Sequence, residues 1–205
     1  MPRKTPLSPR KRPQQARARR TVEALLDATA QVLVAEGWNG TTTNKVAARA
    51  GTSIGTLYEY FPSKEALATA VIERLAAQLL GRTLETLQEA IANPEEETAR
   101  RWFASMVDAI AREAPLVRVI EREIPFAREL PMLRKLEQQL LAIASNSAEG
   151  ITRVTGRRYS PETIYLMATL ARAAVLQIAT DCPPGLDRER LVDELAALFT
   201  AQFLA

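Results

Sequence analysis

Apolar residues recur at three- and four-residue spacing along most of this chain, the period of a helix with one buried face. Val22, Leu25, Leu26, Val32 and Leu33 predict a helix from Arg17 to Glu36. Gly37 is placed to stop it, and Trp38 supplies the apolar contact that often follows such a stop. A short helix is expected from Thr43 to Ala50, capped by Thr42 or Thr43. Gly51 and Thr52 form a turn, and Ser53 caps a second short helix from Ile54 to Tyr60. Pro62 closes that pair, and Ser63 caps a long helix beginning at Lys64. Leu67, Val71, Leu75 and Leu79 line one side of it, with Ile72 and Leu80 alongside, as far as Asn93. Gly81 either ends that helix or kinks it.

Beyond Asn93 the chain stays helical by pattern, with proline as the main punctuation. Pro94 opens a helix through about Glu113 that carries Trp102, Phe103, Met106, Val107 and Ile110. Pro115 and Pro125 bracket a short segment with Leu116, Val117, Val119 and Ile120. A helix from Pro131 to Glu149 precedes a polar loop from Gly150 to Ser160 that holds Arg153, Arg157 and Arg158. Two closing helices, 161–180 and 187–204, flank the breaker from Cys182 to Gly185. The first is apolar or small almost all round, and the second has an apolar set broader than one stripe. Helices of that kind need burial on two sides, one of which a second subunit would supply. The rival arrangement is a larger monomeric core.

Within residues 42–64, Ala47, Gly51 and Leu57 stand where a helix-turn-helix needs a small residue, a turn residue and a core residue. Charge points the same way. Net charge over all 205 residues is only +3, yet residues 1–64 carry +7 and the remainder −4. A basic head on a mildly acidic body suits a polyanion at the head alone. Residues 1–16, rich in proline and basic groups, are expected to be a disordered arm able to lie along phosphates or enter a minor groove. A solvated tail without that role is the plainer alternative.

No histidine is present, which removes the commonest general base and metal ligand. No nucleophile–base pair or metal-spaced cluster stands in its place, so neither catalytic residues, a metal nor a cofactor is expected. The single cysteine, Cys182, precludes an intrachain disulfide and fits a reducing cytoplasm. No uninterrupted apolar run reaches the roughly 20 residues of a membrane span.

The order T-T-x-x-V-A-x-x-A-G-x-S-x-G-T-L-Y-x-Y-F-x-S-K-E-A-L resembles the DNA-binding head of the TetR family of bacterial transcriptional regulators, over about residues 20–67. The resemblance implies an all-α fold of about nine helices, working as a homodimer. A disordered arm (1–16) would precede a three-helix helix-turn-helix head (17–64) and a C-terminal helical bundle domain (65–205) for ligand binding and dimerisation. Thr43 would bond a phosphate, Asn44 would face the major groove, and Thr56 and Tyr58 would offer hydroxyls to phosphates. Gly55 would let the backbone approach the duplex, and Lys64 would meet a phosphate that offsets its position at a helix N-terminus. Ile54 is open between packing inward and touching a thymine methyl, and Tyr60 between bracing Phe61 and contacting DNA. Arg17, Arg19 and Arg20 are the basic groups closest to the first helix and so the best held near DNA.

Trp102, Met106 and Ile110 share a helix face, and Phe126, Met132 and Met167 are candidates to join them around an apolar or aromatic small-molecule effector. Ordinary core is the competing reading of the same stripe. Arg118, Glu121, Arg122 and Arg172 are candidate polar contacts. The expected protein is a cytoplasmic repressor on a palindromic double-stranded DNA operator, dimeric through 161–180 and 187–204 and released by its effector. A DNA-bound adaptor whose body holds a protein partner is the alternative. A helical enzyme containing a helix-turn-helix is the more distant one.

Overall fold

The computed structural model describes residues 7–8, 15–92 and 96–204. The arm expected over 1–16 therefore falls almost wholly outside the described residues, and so does Pro94. Among the described residues there are nine α-helices, one 3-10 turn and no strand. The helices are α1 (Ala16–Gly40), α2 (Thr43–Arg49), α3 (Ile54–Tyr60), α4 (Lys64–Ala92), α5 (Glu96–Arg112), α6 (Ala114–Glu123), α7 (Pro131–Thr155), α8 (Pro161–Asp181) and α9 (Arg188–Leu204). The 3-10 turn is Ala127–Glu129. Residues 1–76 and 115–133 make one compact unit, and residues 77–114 and 134–205 make a second.

Local chemistry sets most of these boundaries. Thr42 Oγ1 accepts from the Lys45 amide, Ser53 Oγ from Thr56, Ser63 Oγ from Ala66 and Ser160 Oγ from Thr163, so four helices begin on a side-chain cap. Asp187 Oδ1 does the same for α9 by accepting from the Glu189 amide at 2.8 Å. Three expectations shift. Helical geometry breaks at Gly37 (φ 68°, ψ 179°), but the chain regains one more turn because the Thr41 amide and hydroxyl both donate to the Gly37 carbonyl. Gly81 neither ends nor interrupts α4. α7 passes through Gly150 to Thr155, and the loop begins at Gly156, which takes the left-handed conformation (φ 74°) that the continuing helix could not.

In the first unit α1 buries Leu25, Leu26, Ala28, Val32 and Leu33. α2 buries Val46 and Ala47, α3 buries Leu57, and α4 buries Leu67, Val71 and Ile72. Phe61, just after α3, is fully buried as well. Arg74 on α4 spans to Glu23 at 3.0 Å and Asp27 at 2.7 Å on α1. Both carboxylates are well exposed, so this pair of bridges is worth about 1 kcal/mol at most and mainly fixes the relative rotation of the two helices.

In the second unit α5 packs against α8 and α9. Phe103, Val107, Val175, Val192 and Leu195 form its core, with Ala171, Ala179 and Ala196 small enough to let the helices close up. Phe103 meets Phe199 edge-on at 5.0 Å, and Arg100 Nε reaches Asp193 Oδ1 at 2.7 Å. That burial uses only one side of the closing helices. Tyr165, Leu166 and Leu170 on α8 are 56–59% exposed, and Leu198 on α9 is 67% exposed. Although no apolar run is unbroken, α8 taken as a whole is long and apolar enough to cross a membrane by length and composition. Its buried residues Ala171, Val175, Ile178 and Ala179 account for part of that apolar character as packing.

Candidate nucleic-acid interface

The turn between α2 and α3 is set by Gly51. At φ 64° it occupies the left-handed region, and no heavy atom lies within 4 Å of where a side chain would begin. The Thr52 amide returns to the Ala47 carbonyl at 3.0 Å, and the Gly51 amide to that of Ala48 at 3.2 Å. This pair of bonds satisfies carbonyls that the end of α2 would leave unpaired. Ala47 is buried with the α2 end, and Leu57 and Phe61 anchor α3 from beneath. The outer surface of α3 is thereby fixed by what its inner surface needs.

That outer surface carries the residues singled out from the sequence. Asn44, Gly55, Ile54 and Tyr58 are exposed, while Thr43, Thr56 and Tyr60 are half-buried. Ile54 thus presents its side chain outward in the first unit, and Leu57 alone of α3 is buried. The Thr43 and Tyr58 hydroxyls lie 3.1 Å apart, bridging the N-terminus of α2 to α3. Thr56 Oγ1 is 2.9 Å from the capping Ser53 Oγ, so its hydroxyl serves the helix start as well as the surface. Arg17, Arg19 and Arg20 are exposed in the first turns of α1, which has no acidic residue in its first turn and no side-chain cap. The positive end of the α1 dipole favours an anion beside these residues.

Lys64 differs from a simply extended phosphate anchor. Its Nζ donates to the Trp38 carbonyl at 3.1 Å and the Thr41 carbonyl at 3.5 Å, and it stands 4.1 Å from the Trp38 ring centroid. The last turn of α1 has no basic residue of its own, so Lys64 supplies the cation that those carbonyls favour. An ammonium has three donors, and two are engaged here. Sequence reading missed two further members of this corner. Lys45 pairs with Glu36 and donates to the Gly40 carbonyl at 2.9 Å, tying α2 to α1. Glu123 Oε2 accepts the Trp38 amide at 2.8 Å. A nine-residue spacing of opposite charges is a signal for the first; nothing local signals the second.

The expected effector-lining residues divide between the two units. Phe126 and Met132 belong to the first, where the Phe126 ring meets Trp38 edge-on at 5.6 Å. Trp102, Met106 and Ile110 are partly buried against the α5–α8–α9 core of the second, and Met167 is half-buried on α8. Trp102 lies 4.7 Å from Phe103 between ring centroids, and its buried Nε1–H has no hydrogen-bond partner among the described residues. The described residues hold no group of three His, Cys, Asp or Glu side chains able to bind a metal.

Two short capped helices meeting at a left-handed glycine, with hydroxyls, an amide and cations on the outer side, define a helix-turn-helix protein with a separate helical body. Residues 25–71 match the family model described as bacterial regulatory proteins, tetR family. The chain is 26% identical over 134 residues to the HTH-type transcriptional repressor DrrR1 of Streptomyces coeruleorubidus, a match spanning 65% of this chain and 42% of that protein. Solved structures share the fold. A TetR-family transcriptional regulator from Mesorhizobium loti superposes with a TM-score of 0.69 at 20% identity, over 92% of this chain and 98% of the other. FadR from Bacillus subtilis, in complex with stearoyl-CoA, gives 0.67 at 18% identity, over 87% and 97%. AibR, in complex with isovaleryl coenzyme A and operator DNA, gives 0.66 at 20% identity, over 87% and 97%. Residues 25–71 are thus a head of the tetR-family type, and the chain as a whole shares the fold of the solved TetR-family regulators. The relatives named here are regulators of transcription.

Proposed function

We propose that this protein is a cytoplasmic transcriptional repressor that binds a palindromic operator as a homodimer and leaves it when a small-molecule effector binds the second unit. The observation that carries the reading is the exposed surface of α2 and α3, where the paired Thr43 and Tyr58 hydroxyls stand beside Asn44 on a rigidly capped turn. The hydroxyls take phosphate oxygens and fix register, and Asn44 reads a base edge, adenine being the base that an amide bonds in two places. Ile54 adds an apolar contact to a thymine methyl. Arg17, Arg19 and Arg20 contribute sequence-independent attraction.

Dimerisation is supported by Tyr165, Leu166, Leu170 and Leu198, large apolar side chains left exposed on the two closing helices. Pairing those helices with a second copy would bury them and place two α3 helices in successive major grooves, about 34 Å apart. For the effector, the partly buried Trp102, Met106 and Ile110 favour an apolar body. The Trp102 Nε1–H, without a partner among the described residues, favours a hydrogen-bond acceptor on it. An acyl thioester combines both, in keeping with the acyl-CoA complexes of FadR and AibR. The effector acts only through its difference in affinity between DNA-competent and DNA-incompetent arrangements.

Selection of bound genomic fragments followed by footprinting tests the proposal. Two protected half-sites related by a dyad, one helical turn apart, are expected. Protection of a single asymmetric site, or no protection, would overturn the dimeric repressor.

A further inference from the structure

We infer that Glu123 and Phe126 are positioning residues for DNA binding, acting through Trp38 on Lys64. Four contacts converge on Trp38. Its amide donates to Glu123 Oε2 at 2.8 Å, and its ring meets Phe126 edge-on at 5.6 Å. Its carbonyl accepts from Lys64 Nζ at 3.1 Å, and the same ammonium stands over its ring at 4.1 Å. One residue therefore carries two contacts from the 115–133 segment and two from the first residue of α4.

The geometry is specific to this corner. Helical geometry breaks at Gly37 with φ 68°, which turns the Trp38 amide out of the helix ladder and makes it available to a side chain. A Cβ on Gly37 would lie 2.5 Å from Glu123 Oε2, so the carboxylate occupies the space that a side chain would need. Removing Glu123 leaves the Trp38 amide without its acceptor and frees the ring that Lys64 rests on. Lysine has a long, rotamer-rich stem, and holding it in one place before DNA arrives removes an ordering cost from binding. The segment that does the holding is bounded on both sides by the second unit, which the chain leaves at Ala114 and re-enters at Arg134. The chain itself links that unit to the segment, and the Glu123 hydrogen bond and the Phe126 ring contact link the segment to Trp38.

The inference rests on the reading of Lys64 as a phosphate contact, and the test separates the two. Full-length protein is titrated onto a labelled duplex selected from random DNA, at several salt concentrations. Lys64→Ala is expected to lower the slope of log K against log salt by about 0.9. Glu123→Ala should lower it similarly and weaken binding about 3–10-fold. Glu123→Gln, which keeps an acceptor oxygen, should restore both, and Phe126→Leu should give a smaller loss in the same direction. Glu123→Ala added to Lys64→Ala should change nothing further. Equal losses in both backgrounds would overturn the inference. Independently of DNA, the ring current of Trp38 should displace the Lys64 ε-methylene protons upfield in the free protein, and Glu123→Ala should abolish that displacement. A displacement that persists sinks the positioning role. A displacement that vanishes while affinity and slope hold takes Lys64 out of the interface, and the inference falls with it.

Discussion

The hydroxyls of Thr43 and Tyr58, fifteen residues apart in sequence, lie 3.1 Å from each other across the start of α2 and the middle of α3. One hydroxyl donates to the other and each holds the other's rotamer, so on the proposed interface a phosphate oxygen would meet one free O–H donor that is already ordered. Tyr58→Phe and Thr43→Val should each weaken binding about 3–10-fold for every sequence, with a double variant less than additive. Because neither group is charged, the salt slope should stay unchanged. A strictly additive double-mutant cycle would show that the two act on separate phosphates.

Asn44 is exposed on the first turn of α2 and has no role in the core. Asn44→Ala should relax the preference at one base pair by about 1–3 kcal/mol while leaving non-specific affinity nearly intact. Selection from random DNA checks this, and an unchanged preferred sequence would remove Asn44 from base reading.

Leu170 and Leu198 are large, apolar and exposed on α8 and α9, away from the Phe103–Val175–Val192 core. Leu170→Glu or Leu198→Glu should leave helical content and melting of the isolated chain little changed but shift sedimentation from dimer to monomer. Operator affinity should fall with it, because two linked half-sites become one. Dimers that persist in both variants would place the interface elsewhere.

Gly37 occupies a backbone region (φ 68°, ψ 179°) that is essentially reserved for glycine. Gly37→Ala should destabilise the fold by about 1–3 kcal/mol in denaturant titration. Because the Glu123 carboxylate must also move aside, DNA binding should weaken beyond what the lost folded fraction accounts for.

Glu162 sits in the first turn of α8, and its pKa is held down by its own backbone N–H and by the Ser160 hydroxyl. A carboxylate whose folded pKa is depressed stabilises the folded state above its unfolded value, and that stabilisation fades as pH falls through the folded one. Glu162→Gln should therefore flatten the acid side of the stability profile below about pH 4.5 and leave neutral pH almost unaffected. An acid limb identical to that of the parent chain would count against it.

Local sequence determined the helices and the turn between α2 and α3. Thr42, Ser53, Ser63 and Ser160 cap helices because a hydroxyl satisfies an amide three residues away, and Gly51 turns because it lacks a Cβ. These effects act within a few residues, so they can be read along the chain. The helix limits misjudged at Gly81 and Gly150 show the limit of that reading, since an isolated glycine costs a helix only about 1 kcal/mol and neighbouring turns outvote it. Tertiary structure alone decided that Glu123, 85 residues away, would complete Trp38, that Phe126 would pack on the same ring, and that Lys64 would be clamped by carbonyls from the end of α1. Such partners are chosen by which surfaces meet when the core closes. A carboxylate, a phenyl ring and an ammonium carry no mark in the sequence of where those surfaces will be.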